Sequence, residues 1–145
     1  MFLGIPNNRN VISSSNQFLI ADCEASVSIG DCAYVESYDE TSKIYKVNTA
    51  NIREIRKMPA IGIVISKETD ITCTVQMFGR LEGIYGGMTI TKPVFVGADG
   101  RATQVPPKPH DLNVNSDMFL QMLGSSIGQD VILLTMQYGV TKLIV

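Results

Sequence analysis

"VFVGADGRATQV", residues Val94–Val105, is two short β-prone runs on either side of Ala98-Asp99-Gly100. Asp and Gly tolerate the left-handed backbone that a tight hairpin corner requires, so the stretch reads as a β-hairpin. The same residues would also suit a loop that cradles a phosphate or a metal. Which reading holds depends on whether the rest of the chain supports a chemical site.

The chain has 145 residues, 45% of them hydrophobic, enough for one domain with a core of its own. Outward from the hairpin, β patterning dominates. "QFLIADC", "SVSIGDCAYVES", "KIYKVN", "AIGIVIS" and "ITCTVQMFG" alternate or run β-branched between turn signals, and "MTITKPVFV", "RATQV", "FLQMLGSSIG" and "VILLTMQYGVTKLIV" continue the pattern. Helical character is confined to "TANIREIRKM", where Ile52 and Ile55 lie three apart, and "SDMFLQML", where Asp117 is a candidate N-cap.

Three blocks echo one another in order. "IGDCAYV" (29–35) answers "ITKPVFV" (90–96), "AIGIVIS" answers "MLGSSIG" through Gly62 and Gly124, and "VQMFG" answers "TMQYG" through Phe78-Gly79 and Tyr138-Gly139. A unit of about four short strands cannot enclose a core alone, so two must share one. The expected fold is all-β: a duplicated small unit forming a β-sandwich or barrel, with at most one or two short helices. Residues 1–17 form an extended N-terminal arm. Residues 18–145 form a single β domain of two pseudo-repeats, about 18–84 and 85–145.

The arm joins an apolar tip, Met1, Phe2, Leu3 and Ile5, to a polar stretch rich in Asn and Ser. It reads either as a frayed terminus or as a segment whose tip docks on a neighbouring subunit. Neither it nor any other stretch has a signal-peptide pattern or eighteen consecutive apolar residues, which predicts a soluble protein made in the cytoplasm and no membrane partner. Net charge is −2, with no basic stripe and no Trp, which argues against nucleic acid.

No residue set supports catalysis or a cofactor. His110 is the sole histidine, set in "PPKPHD". Cys23, Cys32 and Cys73 lack metal spacing and read as small buried hydrophobes. "LGSSIG" has the wrong spacing for a nucleophile elbow at Ser125 or Ser126. Glu36, Asp39 and Glu40 suit a solvated turn rather than a calcium loop, and "GIYGGMTI" lacks the Lys-Ser/Thr of a phosphate loop. "NIREIRK" carries Arg53, Arg56 and Lys57. On a helical turn they share a face, either merely solvated or contacting an acidic protein partner.

The wording "GGMTITKPVFVGADGRATQVPP…QMLGSSIGQDVILL" resembles the small capsid decoration (cement) proteins of tailed bacteriophages. Gly87, Pro93 to Val96, Asp99, Gly100, Thr103, Gln104, Pro106, Leu123 and Gly124 carry the resemblance. It spans roughly residues 18–140 and is strongest in the second half. The resemblance implies a non-enzymatic component of the virion. It would be a homo-oligomer, with a trimer favoured, that sits on the outer capsid surface and clamps neighbouring major capsid subunits. The residues assigned to partner contact are Phe2, Leu3, Ile5, Arg9, Arg53, Arg56 and Lys57. Other readings are a tail or head-fibre adaptor of a virion and a small-molecule-binding β-barrel or minor enzyme.

Overall fold

The computed structural model describes residues 16–108, 117–135 and 137–143. The fold is all-β. β1 (Gln17–Cys23), β2 (Cys32–Asp39), β3 (Ile44–Thr49), β4 (Gly62–Thr69) and β5 (Thr72–Glu82) come from the first half. β6 (Pro93–Val96), β7 (Ala102–Thr103), β8 (Met118–Leu120), β9 (Met122–Gly128), β10 (Val131–Leu134) and β11 (Thr141–Leu143) follow. Nine strands form one sheet in the order β1-β3-β2-β4-β5-β10-β9-β6-β7, and β8 and β11 pair separately.

The first five strands close on themselves. β1 runs parallel to β3 at Asp22–Lys46 and antiparallel to β5 from Gln17 to Asp22, so the ring β1-β3-β2-β4-β5 is a small barrel. Period-2 alternation turns Ala21, Cys23, Ala33, Val47, Val64, Cys73 and Val75 inward. These are small side chains, as a five-stranded interior demands.

β2 and β4 are buried on both faces, which is why "CAYV" and "GIVI" read as near-continuous apolar runs rather than alternating ones. Ala33 and Val64 face the barrel. Cys32 and Ile63 face a second core with Ile52, Val94, Val96, Leu123, Ile132 and Leu134. That second core lies between the barrel wall and the sheet β10-β9-β6. The seven aliphatic side chains among these eight, each buried at about 1.5–3 kcal/mol, dominate the energetics of the junction.

β5 belongs to both layers. Its residues 72–78 pair with β1, and residues 79–82 pair with β10. Gly79 turns the strand at φ 95°, and Gln76 Nε2 donates to Phe78 O (3.2 Å) and Arg80 O (2.9 Å) across the turn. The division between the two arms therefore runs through β5, upstream of residue 85.

Outward from β5 and β10 the two arms carry the same backbone bonds. Ala33 pairs with Gly62 and Val94 with Gly124. Gly30 N–H donates to Val64 O (2.7 Å), and Thr91 N–H to Ser126 O (2.8 Å). Val64 N–H returns to Asp31 O (2.9 Å), and Ser126 N–H to Lys92 O (3.0 Å). Cys23 N–H reaches Ile71 O (2.9 Å), and Gly83 N–H reaches Asp130 O (3.0 Å). Gly62 and Gly124 are needed for close approach. A Cβ on Gly62 would lie 2.2 Å from Gln76 O, and one on Gly124 would lie 1.9 Å from Leu133 O. The third echoed block behaves differently: Phe78-Gly79 lies inside β5, whereas Tyr138-Gly139 lies beyond β10.

Of the two stretches with helical character, the first holds one turn and the second is strand. "NIREIRK" holds only a 3-10 turn at Ile55–Lys57, because Asn51 Oδ1 accepts Arg53 N–H (2.9 Å) and makes a local turn that competes with a helix. Ile52 is fully buried while Ile55 is 54% exposed, so the two share no apolar face. "SDMFLQML" is β8 and β9, pinned by Phe119–Lys142 pairing with β11. Asp117 caps no helix; its carboxylate lies 3.3 Å from Lys142 Nζ.

Candidate functional site

The "VFVGADGRATQV" hairpin is β6, a Gly97–Gly100 turn and β7, and its corner is clasped onto the barrel. Gly100 takes φ 81°, and its carbonyl accepts Cys32 N–H (2.8 Å). A Cβ there would sit 2.4 Å from Thr49 Cγ2, so only glycine allows this approach. Asp99 Oδ1 accepts Arg101 N–H (3.0 Å) and holds the corner tight. Arg101 then crosses to the barrel. Its Nη1 donates to Ile29 O (3.1 Å), lies 3.4 Å from Asp31 Oδ1, and its guanidinium stands 5.3 Å from the Tyr85 ring centre.

Tyr85 completes the clasp. Its hydroxyl donates to Gly30 O and accepts Ala102 N–H (2.9 Å). Burial, then the neighbouring Cys32, pushes the phenol up to about 12, so it stays protonated and can keep donating. Asp31 Oδ2 accepts Ser28 N–H (2.9 Å) and the Thr49 hydroxyl (3.0 Å). Among the described residues no buried side-chain polar atom lacks a hydrogen-bond partner, which suits a joint between the arms better than a cradle for a ligand.

Two open clefts flank the clasp. One, of about 430 Å³, is lined by Asp31, Asn48, Asn51, Lys57 and Asp99. The other, of about 510 Å³, is lined by Arg53, Asp99, Thr103, Val105, Pro106 and Lys108. The three basic residues of "NIREIRK" are thus separated. Arg53 borders one cleft and Lys57 the other, and Arg56 projects into solvent. Glu54 draws Lys57 Nζ to 2.9 Å and Arg56 Nη2 to 3.4 Å. The Lys57 ammonium holds the Glu54 carboxyl below its usual range, and Glu54 in turn raises Lys57. Phe2, Leu3, Ile5, Arg9 and His110 lie outside the described residues.

A third surface is apolar. At the open end of the barrel, Leu19 of β1, Val35 of β2, Tyr45 of β3, Ile61 just ahead of β4 and Met77 of β5 ring a mouth of about 330 Å³. All five barrel elements contribute one residue. Tyr138 closes one side and is 51% exposed, and Tyr38 stacks on Tyr45 with ring centres 4.4 Å apart. Sequence reading missed this mouth, because its residues are scattered from 19 to 138 and only barrel closure unites them. It also missed Tyr85 and Gln121. Gln121 is buried, accepts Ala60 N–H (2.7 Å), and donates to Ala60 O (2.8 Å) and Gln137 O (2.9 Å).

The remaining residues weighed for chemistry have structural placements. Cys23, Cys32 and Cys73 are buried free thiols. Ser126 is fully buried, with its hydroxyl on Thr89 O, and Gln104 bridges Thr89 and Ser126. Asp39 caps the β2–β3 turn, accepting Thr41 and Ser42 N–H, and those bonds lower its pKa. Among the described residues no three His, Cys, Asp or Glu side chains stand close enough to hold a metal ion, and no helix is long and apolar enough to cross a membrane. No protein-family model, curated protein or solved structure matches the chain.

Proposed function

We propose that the chain is a non-enzymatic virion structural protein. It binds the outer surface of a phage capsid and stabilises the shell by clamping neighbouring major capsid subunits. The observation that carries this reading is the apolar barrel mouth, where four strands and the residue just ahead of the fifth present apolar side chains at one open end. Contiguous apolar surface of this kind on a small protein marks a docking site. The resemblance of "KPVFVGADGRATQVPP" and "QMLGSS" to cement proteins supplies the partner. Arg53 at one cleft and Lys57 at the other, with Arg56 exposed, offer further electrostatic contacts beside the clasp.

Mechanistically, each copy needs only weak contacts. A homo-oligomer presents several at once and gains avidity, and binding the assembled shell but not its free subunits stabilises the assembled state by mass action. Mixing the purified protein with undecorated capsids tests this. Co-sedimentation with the shells and a raised capsid melting temperature are expected. Absence of both would sink the proposal. Reversing Arg53, Arg56 and Lys57 to Glu should weaken binding and flatten its salt dependence.

The same mouth favours a second reading, a small-molecule-binding barrel, since about 330 Å³ falls within the range of small-ligand pockets. A thermal shift with apolar metabolites, together with no shift on capsids, would select it.

A further inference from the structure

We infer that the barrel wall has an open strand edge at Phe18–Ile20 of β1, and that this edge takes an extended peptide segment of another protein as an added strand. The inference goes beyond the capsid reading, which rests on the mouth; here the backbone of the wall is the site.

The seam between β1 and β3 is zipped at one end only. Its parallel register sets Asp22 against Lys46 and Cys23 against Val47, and among the described residues no β1–β3 pair precedes Asp22. Backbone groups alternate sides along a strand. Cys23 N–H donates to Ile71 O (2.9 Å), and Ala21 and Leu19 pair with Cys73 and Val75, so these residues serve the β5 side. The N–H and C=O of Asp22, Ile20 and Phe18 therefore face β3. Asp22 finds its partners there. Those of Ile20 and Phe18 stand along the seam without a ladder partner.

The side chains mark the same place. Ile20 is 76% exposed and Phe18 51%, and across the seam Ile44, at the start of β3, is 43% exposed. All three lie on the outer face, since their neighbours Leu19 and Tyr45 turn to the mouth. Water satisfies an open edge but does not cover isoleucine and phenylalanine. An extended peptide does both. Its backbone offers donors and acceptors at the matching two-residue repeat, and its apolar side chains lie beside Phe18 and Ile20.

Other edges of the sheet are guarded. β7 gives Ala102 N–H to the Tyr85 hydroxyl and runs into Pro106-Pro107. β2, beyond its pairing with β4 at Cys32 and Ala33, carries Glu36 and Asp39. Proline and charge are the usual blocks to strand addition, and Phe18–Ile20 has neither. The edge is also left clear by the chain that enters β1, which is held on the opposite side: Gln17 pairs with Phe78, and Asn16 Oδ1 accepts Arg80 N–H (3.0 Å).

Amide exchange followed by NMR on the full chain tests this. The probe is acetyl-Thr-Val-Thr-Val-Thr-amide, and the control is the same peptide methylated on every backbone nitrogen. In the free chain the Phe18 and Ile20 amides are expected to exchange fast beside slow Leu19 and Ala21. The probe should slow both, roughly tenfold at ten times its dissociation constant, and the methylated peptide should not. Ile20→Lys changes an exposed position and should remove most of the slowing; circular dichroism checks its fold, and Phe18→Lys replaces it if it is unfolded. Slow exchange at Phe18 and Ile20 in the free chain would show the edge already taken, by the chain's own residues or, if the protection fades on dilution, by a second copy. That result, no slowing at millimolar probe, an equal response to both peptides, or full slowing in the lysine variant would each overturn the proposal.

Discussion

In the first arm, Gly30 takes φ 96° ahead of β2 and its N–H reaches Val64 O; in the second, Thr91 takes φ 70° ahead of β6 and reaches Ser126 O. The backbone bonds match while the side chains do not. The arms also differ in closure. β1 seals the first into a barrel by pairing with both β3 and β5. In the second, residues 79–82 of β5 take the place of β1 on β10, and the sheet ends at the two-residue β7. The difference teaches that the bonding scheme defines the unit and that side-chain volume then chooses its form. Ala, Val and Cys fill a closed ring, whereas Leu123, Ile132 and Leu134 need a facing layer, which the barrel wall provides.

The hardest test of that equivalence is steric. Gly62→Ala and Gly124→Ala each push a methyl into the neighbouring strand's carbonyl, so both should destabilise strongly and to a similar extent, by about 3 kcal/mol or more. Urea unfolding checks this. A severe loss in one arm with tolerance in the other would break the equivalence.

Gln121 sharpens it from the other side, because the first arm has Pro59 in the matching place and no counterpart bond. Gln121→Leu keeps the volume but leaves Ala60 N–H and Ala60 O buried without their partner. A loss of about 2–3 kcal/mol is expected, read as a lower melting temperature with little change in denaturant slope.

At the clasp that joins the arms, Tyr85→Phe removes one acceptor and one donor, costing about 1–2 kcal/mol. The same residue sets an alkaline limit. Its neutral phenol is favoured in the fold, so its contribution is whole below the ordinary phenol range, near pH 10, and is lost as pH rises towards 12. Parent and variant melting curves should therefore converge over that interval. A constant gap from pH 8 to 12 would show that Tyr85 does not carry this dependence.

Much of this was legible in the chain. Alternation and turn residues gave the all-β class, and Gly62 and Gly124 marked equivalent points of the two repeats, since a missing side chain leaves a trace in the sequence. Asp99-Gly100 marked the hairpin corner in the same way. Closure left no such trace. It depends on β1 pairing in parallel with β3 across more than twenty residues, a long-range contact with no local signal. The mouth, being a product of closure, was equally hidden. "SDMFLQML" misled because its helical spacing was overridden by pairing with β11, and "NIREIRK" because Asn51 bonded its own backbone first. Arg101 and Tyr85 look ordinary in sequence because their roles come from partners 55 to 72 residues away.

The smallest effect separates conserved bonding from conserved strain. Thr91 is β-branched and sits at a positive φ, where such a residue is strained by roughly 1–3 kcal/mol. Its counterpart Gly30 meets the same demand without a Cβ. Thr91→Gly relieves the strain but adds freedom to the unfolded chain, which costs about 0.5–1 kcal/mol. Taking the middle of both ranges, the balance favours the variant by about 1 kcal/mol, a rise of a few degrees in melting temperature. Gly30→Ala should go the other way, since its Cβ would lie 2.5 Å from Arg101 Nη2 and disturb the clasp. If Thr91→Gly instead destabilises, the threonine is held by more than the shared backbone bonds, and the second arm has acquired a local constraint that the barrel lacks.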